Sequence, residues 1–240
     1  MIALDEALER LLTSRSYRGD FLAGRLDNLD LAEGDLRALE AIDKEQLVAT
    51  AERLRDELLR RRYRGSGGLE VLFPQTLEAW RSAHDEDAHL HELIYTFLES
   101  PAYRVYREIP HAGLGACLEE AFFLFIEAES IGDPAVREEE FLTAMSKALA
   151  LSPNPGFRIP SQVMRVPRGY AAVTTRSGPT LCAALRGKGD MQVVRGTITP
   201  FLAALLADPE GAADVAIEHG VTEAVRDASL AHLRGMGLVG

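Results

Sequence analysis

The apolar residues of this chain change their period part-way along it. Up to Leu151 they recur every three to four residues, as on one face of a helix. Beyond Pro160 they fall in short alternating runs, as on strands. The join is SPNPGFRIP, Ser152 to Pro160, proline-rich and irregular. A 3.6-residue pattern does not settle as a sheet, nor an alternating one as a helix. The expected fold class is therefore α+β. A helical domain spans 1–151, and a small β-sheet with three helices, winged-helix-like, spans 152–240.

Within the first part, Leu4, Leu8, Leu11 and Leu12 mark an opening helix. Asp43, with Gln46 three residues on, reads as the cap of a helix whose stripe is Leu47, Ala51, Leu54 and Leu58. Arg60, Arg61, Arg62 and Arg64 then Gly65 suit a helix C-terminus. No strand precedes and no Lys-Ser/Thr pair follows the glycines, so this is no phosphate loop. GSGGLEVLF reads as a native hinge, or as a spacer followed by a protease site. Pro74 departs from the second pattern, and the run lies mid-chain. Helices are expected again at Leu77–Trp80, Leu90–Phe97, Ala116–Ile131 and Ala135–Leu151, with Phe141, Ala144, Met145 and Ala148 inward.

In the second part, strands are expected at Gln162–Val166, Tyr170–Thr175, Leu181–Leu185 and Met191–Ile198, separated by glycine-bearing turns. Thr199-Pro200 begins a helix with inner residues Phe201, Leu202, Leu205 and Leu206. Ala212–Glu218 forms another, ended by Gly220. Thr222 caps the last, with Val225, Leu230 and Leu233 inward. No internal repeat is visible.

Apolar residues make up 47% of the 240, enough for a core. No run approaches the roughly 20 apolar residues of a membrane helix. The opening MIALDEALERLL has acids where a signal peptide would be basic. Two cysteines, Cys117 and Cys182, form no disulfide framework. A cytoplasmic protein with no membrane partner is expected. The net charge of -11 argues against nucleic acid as a partner. That charge is uneven: residues 66–150 carry 5 Lys/Arg against 16 Asp/Glu, whereas 158–195 carry seven basic residues and one acid, Asp190.

Catalytic signatures are missing: there is no G-x-S-x-G, dinucleotide fingerprint, CxxC or HExxH. His84, His89 and His91, with Asp85, Glu86, Asp87 and Glu92, are metal-capable, but no histidine pair has helical i, i+4 spacing. A solvated acidic helix start is the plainer reading. Glu119, Glu120, Glu127, Glu129, Glu138, Glu139 and Glu140 read as acidic helix faces, solvated or used for docking a basic partner surface. No catalytic residue, metal ligand or cofactor is assigned to the chain. Met191–Arg195 is different: a strand at a sheet edge beside a helix can capture an extended peptide as a further strand. Arg165, Arg168, Arg176, Arg186, Lys188 and Arg195 would suit an acidic one.

Strands followed by three helices resemble the peptide-recognition element of ribosomal-peptide biosynthesis, which grips a leader peptide between its third strand and its third helix. The layout is also similar to the partner subunits of multinuclear non-heme iron-dependent oxidases of the methanobactin and thiaglutamate pathways. The stretches that carry the likeness are EEEFLTAMSKALALSPNPGFRIP, GTITPFLAALL and DASLAHLRGMGLV. The resemblance implies a non-catalytic protein that binds a precursor peptide and forms a heterodimer with an iron oxidase, the iron being held there. Peptide contacts carried over are Met191, Val193, Val194 and Arg195 on the strand and Arg226, Ser229, Leu230 and Leu233 on the last helix. The helical domain would dock the oxidase. Two rival readings are a winged-helix DNA-binding regulator and a metal-dependent enzyme built on His84, His89 and His91. Against the first, the last helix mixes Glu223 and Asp227 with Arg226 and Arg234, where a base-reading helix is richer in Arg, Lys, Asn and Gln.

Overall fold

The structure, a computed structural model, describes residues 1–60, 67–84, 90–108 (without the side chains of 107 and 108), 117–152, 158–187 and 189–240. The fold is α+β. Ten helices named here precede the sheet: α1 (Leu4–Thr13), α2 (Arg15–Leu22), α3 (Glu33–Glu40), α4 (Lys44–Arg60), α5 (Leu69–Leu72), α6 (Pro74–Ala83), α7 (Leu90–Glu99), α8 (Pro101–Glu108), α9 (Leu118–Ala128) and α10 (Pro134–Leu151). Strands β1 (Val163–Val166), β2 (Gly169–Thr174), β3 (Thr180–Arg186) and β4 (Met191–Thr197) form an antiparallel meander in the order β1-β2-β3-β4. Helices α11 (Pro200–Ala207), α12 (Ala212–Glu218) and α13 (Glu223–Met236) follow. Among the described residues, no helix is long and apolar enough to cross a membrane.

Local chemistry places these elements close to where the sequence predicts them. Asp43 Oδ1 accepts from the Glu45 and Gln46 amides at the start of α4. Asp133 does the same for Ala135 and Val136 at α10, with Pro134 in the first turn. Thr199 Oγ1 accepts from Leu202 N at α11. At the far end of α13, Gly237 adopts φ 77°, its amide donates to Arg234 O, and Leu238 N donates to Leu233 O. This paired closure needs a residue free to take the left-handed conformation. Three expected inner positions differ. Val225 is 51% exposed, because Arg226, not Val225, lines up one turn before Leu230. On α4 the buried stripe is Leu47, Ala51, Arg55 and Leu59, with Leu54 and Leu58 half-buried beside it.

The sheet lies between two layers of helix. On one face Val163, Ala172 and Cys182 join the largest apolar cluster, which runs through α4 to α10 and is anchored by Phe73, Phe97, Phe122 and Phe125. On the other face Val166, Ala171, Leu181, Ala183 and Leu185 pack with Phe201, Leu205, Val215, Leu230 and Leu233 of the final helices. A smaller cluster around Leu11, Phe21, Leu29 and Leu39 binds the first helices together. Apolar side chains alternate between the two layers along β2 and β3, the expected outcome for a sheet covered on both sides.

The glycine-rich run at 65–68 lies partly outside the described residues, but its end is built into the core. Leu69, Leu72 and Phe73 are buried. A Cβ on Gly68 would stand 2.2 Å from the Leu59 carbonyl oxygen, so α4 and α5 touch backbone to backbone there. The acidic helix faces also need correction. Glu140 is 1% exposed and its carboxylate accepts from Gln75 N (2.7 Å), Thr76 N (3.2 Å) and Thr76 Oγ1 (2.7 Å), capping α6 from across the core. Burial raises its pKa against the pull of those three donors. Glu119 and Glu120 are buried as well.

Two stability predictions follow from these contacts. Gly68→Ala forces α4 and α5 apart and should cost about 2–4 kcal/mol in denaturant unfolding, far above an ordinary surface substitution. Glu140→Ala strands the α6 amides in the core and should cost about 2–4 kcal/mol by the same measurement.

Candidate functional site

Strand β4 is one of the two outer strands of the sheet, with β1 at the opposite edge, and is paired among the described residues with β3 alone. Two bonds fix which of its groups face inward. Ile198 N donates to Pro179 O (2.8 Å), and Gly187 N donates to Asp190 O (2.7 Å). Hydrogen-bonded and non-bonded pairs alternate along an antiparallel ladder. The register pairs Leu181 with Gly196, Ala183 with Val194 and Leu185 with Gln192, and these are the bonded pairs. Gln192, Val194 and Gly196 therefore turn their backbone groups toward β3. Met191, Val193, Arg195 and Thr197 turn theirs away from the sheet, leaving a row of donors and acceptors at the open edge.

The side chains alternate too. Val194 packs into the cluster under the final helices. Arg195 points to the other face, where Nε lies 3.6 Å from Glu139 Oε2 on α10. Val193 is 47% exposed at the middle of the strand and Met191 is half-buried. On α13, Arg226, Ser229, Leu230 and Leu233 share one face at i, i+3, i+4 and i+7. Leu230 and Leu233 are core residues, whereas Arg226 and Ser229 sit half-buried at its margin. The Arg226 guanidinium bonds Glu223 (3.1 Å) and Asp227 (2.8 Å), and these raise its pKa. The eight residues are thus divided between an exposed strand edge and a helix face that is half core.

The arginines after residue 158 are engaged within the chain to a degree their sequence does not reveal. Arg158 pairs with Glu120 (2.5 Å), Arg176 with Glu127 and Glu138 (3.4 Å each), and Arg195 with Glu139. Thr174 Oγ1 also bonds Glu138, and Ser177 bonds Glu139. Glu127 additionally holds Arg137 at 2.7 Å. The acidic middle and the basic segment are, in large part, each other's partners.

The metal-capable histidines divide. His84 Nδ1 lies 2.8 Å from Trp80 O with its ring stacked on Trp80 at 4.3 Å, and His91 Nε2 lies 3.0 Å from Asp56 Oδ1. His89, with Asp85, Glu86 and Asp87, lies outside the described residues. No group of three or more His, Cys, Asp or Glu placed to hold a metal occurs among the described residues. Cys117 caps α9 with its sulfur near Met145 Sδ (3.2 Å), and burial pushes the thiols of both Cys117 and Cys182 up in pKa, away from thiolate chemistry.

A residue that sequence reasoning missed is Arg55. It lies on the apolar stripe of α4, 3% exposed, with its guanidinium carbon 3.7 Å from the Tyr95 ring centroid. Nε and Nη1 have no hydrogen-bond partner among the described residues, and burial lowers its pKa. Only its i, i+4 spacing from Ala51 and Leu59 signals burial.

The Arg195–Glu139 contact generates a measurable expectation. Arg195→Glu sets a carboxylate against Glu139 and Glu138 and should cost about 1 kcal/mol. Exchanging the pair in Arg195→Glu/Glu139→Arg should recover most of it in a double-mutant cycle of unfolding free energies. Compared with models of protein families, with curated proteins and with solved structures, the chain matches none.

Proposed function

We propose that this chain is a non-catalytic partner protein: it binds a ribosomally made precursor peptide and presents it to a multinuclear iron-dependent oxidase, which modifies it. The observation that carries the reading is the open edge of β4. Met191, Val193, Arg195 and Thr197 offer outward backbone groups there, and the three final helices cover the neighbouring face. A leader segment laid along that edge gains main-chain hydrogen bonds, while Val193 and the margin of α13 at Arg226 and Ser229 read its side chains. Leu230 and Leu233 hold that helix in place from below. Work of this kind needs no reactive group in the chain. Holding the leader converts a bimolecular encounter at the oxidase into an intramolecular one, raising the effective concentration of the residue to be modified.

The edge geometry sets the test. Proline at 193 removes an outward amide and leaves the β3 ladder intact. With a precursor and an iron oxidase encoded beside this chain, Val193→Pro should weaken peptide binding by at least tenfold in titration calorimetry, with oxidase capture in a pull-down retained. Val194→Pro interrupts the β3 ladder itself and should lower the melting temperature. Equal loss of peptide and oxidase binding in Val193→Pro, or unchanged peptide affinity, overturns the reading.

A further inference from the structure

A cavity of about 320 Å³ opens where the end of α10 meets the β1–β2 turn, at the end of the sheet where β4 begins: Arg186, in its lining, pairs with Met191. Its polar lining is almost wholly cationic. Arg165, Arg168 and Arg186 converge on it, with Tyr170 and the apolar Leu149 and Val166. No Asp or Glu is among the residues that line it, in a chain whose net charge is -11.

The three guanidiniums are not equivalent. Arg186 gives Nε and Nη2 to Ala150 O at 3.0 and 2.6 Å, closing the carbonyl end of α10. Its charge thereby covers the acceptor that would otherwise repel an anion. Arg168 gives Nε to Arg186 O (3.0 Å), and its backbone is fixed by bonds to Gly237 O and from Arg186 N. A Cβ on Gly237 would meet the Arg168 side chain at 2.1 Å, so the end of α13 holds that side chain in its course. The Nη atoms of Arg168 have no partner among the described residues, and Arg165 has none for any of its nitrogens. The cavity is therefore lined by one guanidinium with all its donors unused and one with both Nη groups unused, beside a third fixed charge. Arg158, Arg176 and Arg195 of the same segment pair with carboxylates and Arg186 with a carbonyl, whereas among the described residues Arg165 and Arg168 pair with no carboxylate.

We propose that this cavity binds a phosphate group, free or carried as a monoester, between Arg165 and Arg168. Two forks match the oxygens of a tetrahedral oxyanion in bidentate fashion. A monoester carries nearly two negative charges, close to what the clustered guanidiniums require, whereas a single carboxylate leaves most of their repulsion in place. The cavity is larger than the bare anion needs, and Tyr170, Leu149 and Val166 supply a wall for the esterified group. The site uses the guanidiniums of Arg165 and Arg168 and none of the outward backbone groups of β4, so a phosphate titration and a peptide titration report on different groups.

Titration calorimetry of the full chain tests the assignment, with inorganic phosphate and glycerol 3-phosphate as probes and ionic strength held constant with chloride. Saturable one-site binding is expected. Tighter binding of glycerol 3-phosphate identifies a monoester as the occupant, and binding of inorganic phosphate alone identifies the free anion. Arg165→Ala should weaken the affinity at least tenfold without moving the melting temperature, since Arg165 has no partner to lose. Arg168→Lys keeps a charge and loses the fork, and should weaken it several-fold. Arg104→Ala, on α8 in a different groove, should bind like the parent protein. Absence of saturable binding by both probes, or an Arg165→Ala protein that binds as tightly as the parent, overturns the proposal.

Discussion

Helix α10 is covered on nearly every side, and the rest of the molecule is arranged to allow it. Phe141, Leu142, Met145 and Leu149 are buried, and so are Arg137, Glu140 and Ser146. A helix wrapped all round belongs to an interior, and each polar group it carries inward needs a partner. Arg137 reaches Glu127 and the Ile131 and Gly132 carbonyls, Glu140 caps α6, and Ser146 reaches the Cys182 carbonyl. Glu138 and Glu139 lie at its margin and meet Arg176 and Arg195 from the sheet. One helix thereby joins the helical cluster to the strands.

This arrangement explains why the charge asymmetry of the sequence misleads when read as surface. A run such as Glu138-Glu139-Glu140 has the look of a solvated face. In three dimensions its members point to three places: Arg176, Arg195 and the α6 amides. Sequence shows the two charge blocks but not that the chain folds one onto the other. The pairing also narrows what a partner could use. Arg165 stands at the end of α10, past its carboxylates, and is left free to meet a ligand.

Much of the architecture was legible because local chemistry determines it. The four strands follow the alternation and the glycine turns, α11 follows Thr199-Pro200, and α13 closes at Gly237. What sequence could not show was tertiary. Arg55 occupies an apolar stripe because Tyr95 offers its ring across α7, a contact 40 residues away in the chain. Gly68 has the look of a flexible joint but is a point of close backbone approach. Of the candidate peptide contacts on the strand, Met191, Val193 and Arg195 turn their backbone groups to the open edge, whereas Val194 turns to β3 and the core. Leu230 and Leu233 share their face with Arg226 but serve the core first, a distinction that spacing alone does not make.

The placement of α10 also bears on how the chain is made. A ribosome releases residues in order, so this helix emerges before the strands that cover one of its flanks. Until Val163, Ala172 and Cys182 follow, that flank and the carboxylates beside it face water. The nascent helical part is therefore obliged to wait, incompletely packed, for the last third of its own polypeptide, and any holding factor met during synthesis would find its most adhesive surface there.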